Sequence, residues 1–263
     1  GRFEQSKLRV QSAGLRGVDV KGLLLLTALM LLAMVALTAC VSLTAEEKTY
    51  KAAVELQGQG KLNEAIAEYG KVLGLNPQSV EAYANRGGAR ADLGEYQMAL
   101  QDYGQALLLN PEDAKMYLTR ANLHNDLGET DKAIEDYSQA IRITPTFSDY
   151  YHRRANIYAK LGQVDLALGD YAESIRLSPT FAAIYVDRGK FYGNLNQRQR
   201  ALDDLTEAIR LDGNYREAYA LRAVENAHAG NDAAAQQDLE QAVGLGYDQA
   251  LLADTIQRIR ALR

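Results

Sequence analysis

The chain of 263 residues carries 29 basic and 34 acidic residues, which gives a net charge of -5 at pH 7. A nucleic-acid-binding protein presents basic residues clustered on one face, and the sequence contains no such cluster, so nucleic acid is excluded as a partner. Cys40 is the only cysteine. Because a disulfide within one chain needs two cysteines, packing alone must stabilise the fold.

The N-terminal part of the chain contains a segment without a pattern and then a hydrophobic segment. Residues 1–19 mix charges with small polar residues and show no helical or strand period, so no structure is predicted for them. Residues 22–39 are 18 consecutive uncharged residues, rich in leucine, that follow Arg16 and Lys21. Such a segment is typical of membrane targeting. Val20 is an alternative start, in which case residues 1–19 are upstream sequence.

The hydrophobic segment ends in Leu-Thr-Ala followed by Cys40, which resembles the processing box of bacterial lipoproteins. The resemblance implies that residues 1–39 comprise the upstream segment and a signal peptide. It also implies that Cys40 is lipidated and becomes the mature N-terminus, with residues 40–45 as a short linker. The mature chain then keeps 24 basic and 32 acidic residues.

The residues after Cys40 bear on the membrane that holds the anchor. In bacterial lipoproteins an aspartate directly after the cysteine resembles a signal for retention in the inner membrane, and this chain has Val41 and Ser42 instead. The resemblance therefore favours an outer-membrane lipoprotein facing the periplasm, with an inner-membrane anchor as the alternative. An uncleaved transmembrane helix is a second alternative, because 18 residues nearly span a hydrocarbon core of about 30 Å.

A period of 34 residues organises most of the remaining chain. The four prolines lie 34 residues apart, at Pro77, Pro111, Pro145 and Pro179. Five tyrosines show the same spacing, at Tyr83, Tyr117, Tyr151, Tyr185 and Tyr219. A fixed period of this size is typical of a repeat array. Aligned on it, the chain gives six blocks: 46–79, 80–113, 114–147, 148–181, 182–215 and 216–249.

Each block has the pattern of two helices joined by a tight turn. In block 148–181, Tyr151, Ala155 and Tyr158 follow one helical face. Gly162 then ends the first helix, because glycine adopts left-handed backbone angles without a steric penalty, and Pro179 ends the second. The same turn position is occupied in the other blocks by Gly60, Gly94, Gly128, Asn196 and Gly230.

This pattern resembles an array of tetratricopeptide repeats. The signature positions 4, 8, 11, 20, 24, 27 and 32 of that family correspond in the second block to Tyr83, Gly87, Arg90, Ala99, Tyr103, Ala106 and Pro111. The resemblance implies an all-α, right-handed superhelical solenoid of about six helix-turn-helix repeats. Residues 250–263 carry apolar side chains at helical spacing and are predicted to form a C-terminal capping helix.

Two opposite charges recur at the period of the repeat. Position 7 of five consecutive blocks is arginine, and position 23 of the same blocks is aspartate. We predict a structural ladder of Arg–Asp ion pairs between packed helices. The alternative is that the arginines line a groove for an acidic partner. The arginines are Arg86, Arg120, Arg154, Arg188 and Arg222, and the aspartates are Asp102, Asp136, Asp170, Asp204 and Asp238.

The resemblance also implies a binding groove, lined by positions 2, 5, 9, 12 and 13 of each first helix; these positions are called the groove row below. Asparagine amides on this row can hold an extended peptide backbone, because each amide both donates and accepts hydrogen bonds. Ordinary solvated helix residues are the alternative interpretation. The candidate partner-binding residues are Asn122, Asn125, His152, Asn156 and Lys190.

Catalysis finds little support in the sequence. The three histidines lie whole blocks apart, and no nucleophile–base pair or metal-ligand spacing appears. We therefore predict a non-enzymatic scaffold without cofactor or metal that binds other proteins of the cell envelope, such as proteases or cell-wall hydrolases. An assembly factor for a pilus or secretin is the alternative, and an envelope-bound hydrolase is a weaker third. Whether the array forms homodimers stays open.

Overall fold

The computed structural model describes residues 43–263, so Cys40 and the predicted signal segment lie outside the described residues. This part of the chain contains thirteen helices and no strand, which confirms the predicted all-α class. The helices are α1 (Ala45–Gly58), α2 (Leu62–Leu75), α3 (Val80–Asp92), α4 (Tyr96–Leu109), α5 (Ala114–Asp126), α6 (Thr130–Ile143), α7 (Ser148–Lys160), α8 (Val164–Leu177), α9 (Ala182–Asn194), α10 (Arg198–Leu211), α11 (Arg216–His228), α12 (Asp232–Gly244) and α13 (Gln249–Ala261).

These residues fall into two compact units, one ending at Ala89 and one running from Arg90 to Arg263. None of the helices between residues 43 and 263 is both long enough and apolar enough to span a bilayer.

The first unit is held by α1 and α2. A capping box starts α1: the hydroxyl of Thr44 accepts from the Glu47 backbone N–H, and the Glu47 carboxylate accepts from the Thr44 backbone N–H. Such a box satisfies two backbone donors that the helix cannot pair itself. Tyr69 is fully buried against Ala53, and its hydroxyl donates to Gln57 Oε1 at 2.8 Å.

In the second unit, each first helix packs on the second helix of its own block. Small side chains lie at these contacts: Ala121 and Ala133 are fully buried between α5 and α6, and Ala155 and Ala167 are fully buried between α7 and α8. Small residues let two helices approach closely. The helix pairs therefore stack in sequence as the solenoid that the repeat period predicts.

The turns between paired helices have the backbone angles that the sequence predicts. Gly162 has φ +69°, a value that costs other residues strain. Asn196, which replaces glycine in the fifth block, has φ +58°, and asparagine is the side chain that tolerates this region next best. Positive φ values also occur at Gly60, Gly94, Gly128, Gly230 and Gly246.

The last helix, α13, closes the second unit. Asp248 caps its start by accepting from the Leu251 backbone N–H at 2.9 Å. The buried side chains of α13 are Leu252, Ile256 and Ile259, which pack on α11 and α12. Leu251 stays exposed. The apolar face of α13 is thus narrower than its sequence pattern suggests.

Candidate functional site

A cleft of about 240 Å³ lies among α7, α8 and α9. Two predicted binding residues, Asn156 and Lys190, face it from the fourth and fifth blocks. Its walls are Asn156, Ala159 and Lys160 from α7, Tyr171 from α8, and Asp187, Lys190, Phe191 and Asn194 from α9. The groove row of two consecutive blocks therefore borders a single cleft that combines charged and amide side chains with an aromatic floor.

A hydrogen-bonded network fixes one wall of this cleft. The buried Tyr171 donates its hydroxyl to Asn156 Oδ1 at 2.5 Å. Asn156 Nδ2 in turn donates to Asp187 Oδ2 at 3.0 Å. The same carboxylate oxygen lies 2.7 Å from His152 Nε2, and the His152 side chain is buried. Asp187 thus joins the fifth block to two predicted site residues of the fourth.

Asp187 belongs to this network although no sequence pattern predicts a role for it. Burial alone would raise its pKa, but hydrogen bonds from His152 and Asn156 and the nearby charge of Lys190 outweigh burial and lower it. The carboxylate is therefore charged at neutral pH. No periodic signal marks it, because position 6 is Asn85, Thr119, Arg153 and Leu221 in neighbouring blocks.

The three predicted asparagines differ in which side-chain hydrogen-bonding groups remain free for a partner. Asn156 uses both its carbonyl and its amide within the network. Asn122 accepts from Tyr137 at 2.6 Å and from Arg153 at 3.4 Å through Oδ1, and among residues 43–263 its Nδ2 has no acceptor. The Asn125 side chain, which is partly exposed, has no hydrogen bond to any described residue. Asn122 and Asn125 can therefore donate to a partner, whereas Asn156 positions Asp187.

A second cleft, of about 220 Å³, lies among α9, α10 and α11 and shares Lys190 and Asn194 with the first. Leu205 occupies the place that Tyr171 has one block earlier, so this cleft has an aliphatic wall. Glu225 accepts from Arg198 Nη1 at 2.9 Å. A Cβ at Gly193 would collide with the Glu225 carboxylate, so a larger residue there would displace the end of that side chain. The remaining lining residues are Gly189, Leu221, Val224 and His228.

The recurring arginines and aspartates meet within the third to sixth blocks. In each, the Nε and Nη2 of the arginine donate to the two carboxylate oxygens of the aspartate over 2.7 to 2.9 Å. The carboxylates are buried, so these bonds offset much of the cost of removing the charges from water. The pairs are Arg120–Asp136, Arg154–Asp170, Arg188–Asp204 and Arg222–Asp238.

The remaining two members of the predicted ladder lie at the start of the array. In the second unit, Asp102 accepts from Arg90 Nη1 at 2.7 Å. In the first unit, the guanidinium of Arg86 lies 5.6 Å from the ring centre of Tyr83. A cation at this distance from an aromatic ring is attracted by it. The same stacking recurs in the third block, where Arg120 lies 5.7 Å from the ring centre of Tyr117.

The ladder arginines also reach the preceding block. Arg154 Nη1 donates to Ser138 Oγ at 2.8 Å, and Arg222 Nη1 donates to Thr206 Oγ1 at 3.1 Å. Each of these guanidinium groups therefore uses three nitrogens inside the solenoid. This geometry favours the structural interpretation of the arginines over a groove for an acidic partner.

The three histidines have separate surroundings. His124 is buried, with Nδ1 2.6 Å from Glu129 Oε2. His152 belongs to the network around Asp187. His228 borders the second cleft, where burial and the charge of Arg198 lower its pKa. In the described part of the chain, no three His, Cys, Asp or Glu side chains are grouped as a metal site.

Comparison with protein-family models gives matches along the array. Models described as tetratricopeptide repeat match residues 80–113, 148–181 and 182–215, and one described as TPR repeat matches residues 58–93 and 121–162. Together these matches cover more than half of the 263 residues. No curated protein sequence matches the chain significantly.

Solved structures with the same fold include the proteins YrrB, MamA and PilW. The chain resembles YrrB, described as a TPR protein with an unusual peptide-binding site, at 21% identity and TM-score 0.59 over 72% of this chain and 97% of YrrB. It resembles MamA at 23% identity and TM-score 0.60 over 64% and 92% of the two chains. It resembles PilW, described as a widely conserved type IV pilus biogenesis factor, at 17% identity and TM-score 0.64 over 83% and 99%. At these identities the likeness establishes the fold.

Proposed function

The chain belongs to the tetratricopeptide-repeat family, and on this premise we propose that it is a non-enzymatic scaffold that binds a segment of another protein. The observation that carries the proposal is the pair of adjoining clefts, which share Lys190 and Asn194 and follow the groove row over three consecutive blocks. A continuous surface of this kind, with both polar and apolar side chains, suits an extended chain better than a compact small molecule.

The side chains of this surface match the chemistry of an extended segment. A peptide backbone presents carbonyl acceptors and N–H donors in turn, and side-chain amides satisfy both. Asn194 is exposed between the two clefts, and Asn125 lies two blocks before it on the same row. The floor formed by Tyr171 and Phe191 offers apolar area for side chains of the bound segment.

The proposal includes anchoring at a bacterial membrane. The hydrophobic segment that ends at Cys40 supports it, because the box resembles that of bacterial lipoproteins. Lipid chains on the mature N-terminal cysteine give the two or more anchors that stable membrane attachment needs. The scaffold would then present its repeats to envelope proteins from the outer membrane, with the inner membrane as the alternative.

Two kinds of partner fit this proposal. The scaffold would recruit cell-envelope enzymes, or it would help to assemble a pilus or secretin. The second candidate is favoured by one observation: PilW, a type IV pilus biogenesis factor by description, shares the fold over 99% of its own length.

The test of the proposal is site-specific photo-cross-linking of the full-length protein in the cells that produce it. A photoreactive residue at position 194 lies between the clefts, and one at position 166 serves as the control, because Leu166 is exposed on α8 and lines neither cleft. We expect a discrete cross-linked protein from position 194 and none from position 166. Equal products from both positions, or none from either, would reject groove binding.

The anchor is tested separately by metabolic labelling with an alkyne fatty acid. The full-length protein is expected to incorporate label and to fractionate with membranes, and the Cys40→Ser variant is expected to lose both properties. Membrane attachment of an unlabelled Cys40→Ser protein would instead support the uncleaved transmembrane helix.

A further inference from the structure

In the second unit, arginines and lysines differ in how often they form ion pairs. Almost every arginine from Arg90 onward forms an ion pair. Arg200 instead stacks on Tyr192 and donates to Gln197. Three exposed lysines form no ion pair with any residue between 43 and 263, and they are Lys115, Lys160 and Lys190.

All three of these lysines lie on the groove row. They occupy positions 2, 13 and 9 of the third, fourth and fifth blocks. Residues at these positions share one helical face, because the angle between them stays small at 100° per residue. Lys160 and Lys190 line the same cleft. Two of these three lysines thus lie where the proposed partner binds.

The carboxylates around the first cleft have hydrogen-bond partners within the protein. Asp149 accepts from Arg153 at 2.7 Å. Asp187 accepts from Asn156 and lies 2.7 Å from His152. The charge of Lys190 helps to stabilise the Asp187 carboxylate, but among the described residues neither Lys160 nor Lys190 forms an ion pair, so both ammonium groups can pair with an acidic ligand.

Acidic residues lie on both sides of the positively charged part of the groove row. On the N-terminal side, Asp126 occupies position 13 of the third block, is exposed, and has no cation within ion-pair distance among the described residues. On the C-terminal side, Glu225 is held by Arg198. The stretch that accepts negative charge therefore runs from Lys160 to Asn194.

We propose that the bound segment is acidic and places at least one carboxylate between Lys160 and Lys190, with Asn194 donating to the adjoining backbone or side chain. This inference rests on the proposed function and specifies its ligand. The whole chain has a net charge of -5, so attraction is local to the cleft rather than a property of the entire surface. Local complementarity of this kind selects partners more than it adds raw affinity.

The test begins with the segment that is cross-linked at position 194 and mapped by mass spectrometry. A fluorescent peptide of that segment is titrated with full-length protein in detergent, and is compared with a peptide in which each Asp and Glu is replaced by Asn and Gln. We expect binding to weaken about tenfold, because two exposed ion pairs of ordinary strength are lost. Because this comparison changes only the peptide, the fold of the protein cannot influence it.

The matching change on the protein is the double reversal Lys160→Glu and Lys190→Glu. Its control is Lys132→Glu and Arg200→Glu, which alters the net charge equally at exposed positions of second helices. We expect the first variant to lose peptide binding and the control to retain it within about twofold, since distant surface charges are screened by salt.

The possible failures can be told apart. Absence of a specific cross-link at position 194 would reject the proposed function and this inference together. A specific cross-link to a segment without acidic residues would keep the proposed function and overturn the inference. Equal binding of the acidic and amide peptides, or equal loss in the two charge-reversal variants, would overturn it as well.

Discussion

Arg154 and Asp170 are joined by two parallel hydrogen bonds, from Nε to Oδ2 at 2.7 Å and from Nη2 to Oδ1 at 2.9 Å. The third guanidinium nitrogen, Nη1, reaches Ser138 in the preceding block. One side chain therefore links the two helices of its own block and holds the block before it. Because each unit of a solenoid contacts only its neighbours, such links determine how far unfolding of one block spreads.

Asp136→Ala is expected to lower the free energy of unfolding by about 3 kcal/mol, because it leaves the guanidinium of Arg120 without its buried partner. The control is Lys132→Ala, which removes a pair with Glu129. The Asp136 side chain is 5% exposed and the Lys132 side chain 62%, so the control should cost less than about 1 kcal/mol. Urea denaturation of both variants measures the difference, and superimposable curves would refute the structural ladder.

Ser138→Ala is expected to destabilise the protein by about 1 kcal/mol, because Arg154 Nη1 loses its acceptor in the preceding block. A double-mutant cycle with Arg154→Ala separates this contact from the other effects of each change. A coupling free energy indistinguishable from zero would show that the hydroxyl does not connect the blocks. The fourth block has Ala172 at the equivalent position, so the substitution fits the local structure.

Asn156→Ala is expected to destabilise the fold by about 2 kcal/mol, because Tyr171 and Asp187 each lose a hydrogen-bond partner. Asn125→Ala should change stability by less than about 0.5 kcal/mol, since its side chain is partly exposed and makes no internal bond. Thermal melting of the two variants provides the comparison. Equal melting temperatures would mean that Asn156 does not hold the wall of the first cleft.

The raised pKa of the Tyr137 hydroxyl predicts that the protein loses stability in alkaline solution. Burial is the main reason that its pKa is raised to about 12, with the charges of Asp149 and Asp126 adding to it. A tyrosine whose pKa is higher in the folded state than in the unfolded state stabilises the fold. This stabilisation is complete below the unfolded pKa of about 10, and it is lost as the pH rises toward the folded pKa. The advantage of wild type over Tyr137→Phe in urea denaturation should therefore shrink between pH 9 and pH 11.5, values chosen to bracket the onset. A difference that stays constant with pH would contradict this.

The helical array follows from the sequence because its signals are local and recur every block. Gly162 and Asn196 mark turns through their tolerance of positive φ, and both adopt it. The Arg–Asp contacts of the third to sixth blocks agree with the prediction from two opposite charges that recur in step. Residues that recur in four or five blocks can be predicted from their period alone.

The candidate site was only partly visible in the sequence, because its contacts occur once. Asp187 joins Asn156 and His152 across two blocks, and neither its position nor its residue type recurs. The role of Asn156 depends on the rotamer that places its carbonyl against Tyr171. Side-chain directions of this kind are set by tertiary packing, so a period cannot predict them. The lipid anchor at Cys40 lies outside the described residues and stays a prediction.

The most direct test of groove binding is a cross-linking scan in which one photoreactive residue is moved by whole repeats. Positions 126, 194 and 228 are the last position of the groove row in the third, fifth and sixth blocks. The comparison positions 132, 166 and 200 share one exposed position of the second helix in the third, fourth and fifth blocks. We expect the yield of the partner adduct to be highest at position 194 and lowest on the second helices. A maximum at position 132, 166 or 200 would contradict groove binding and place the partner on the opposite helices.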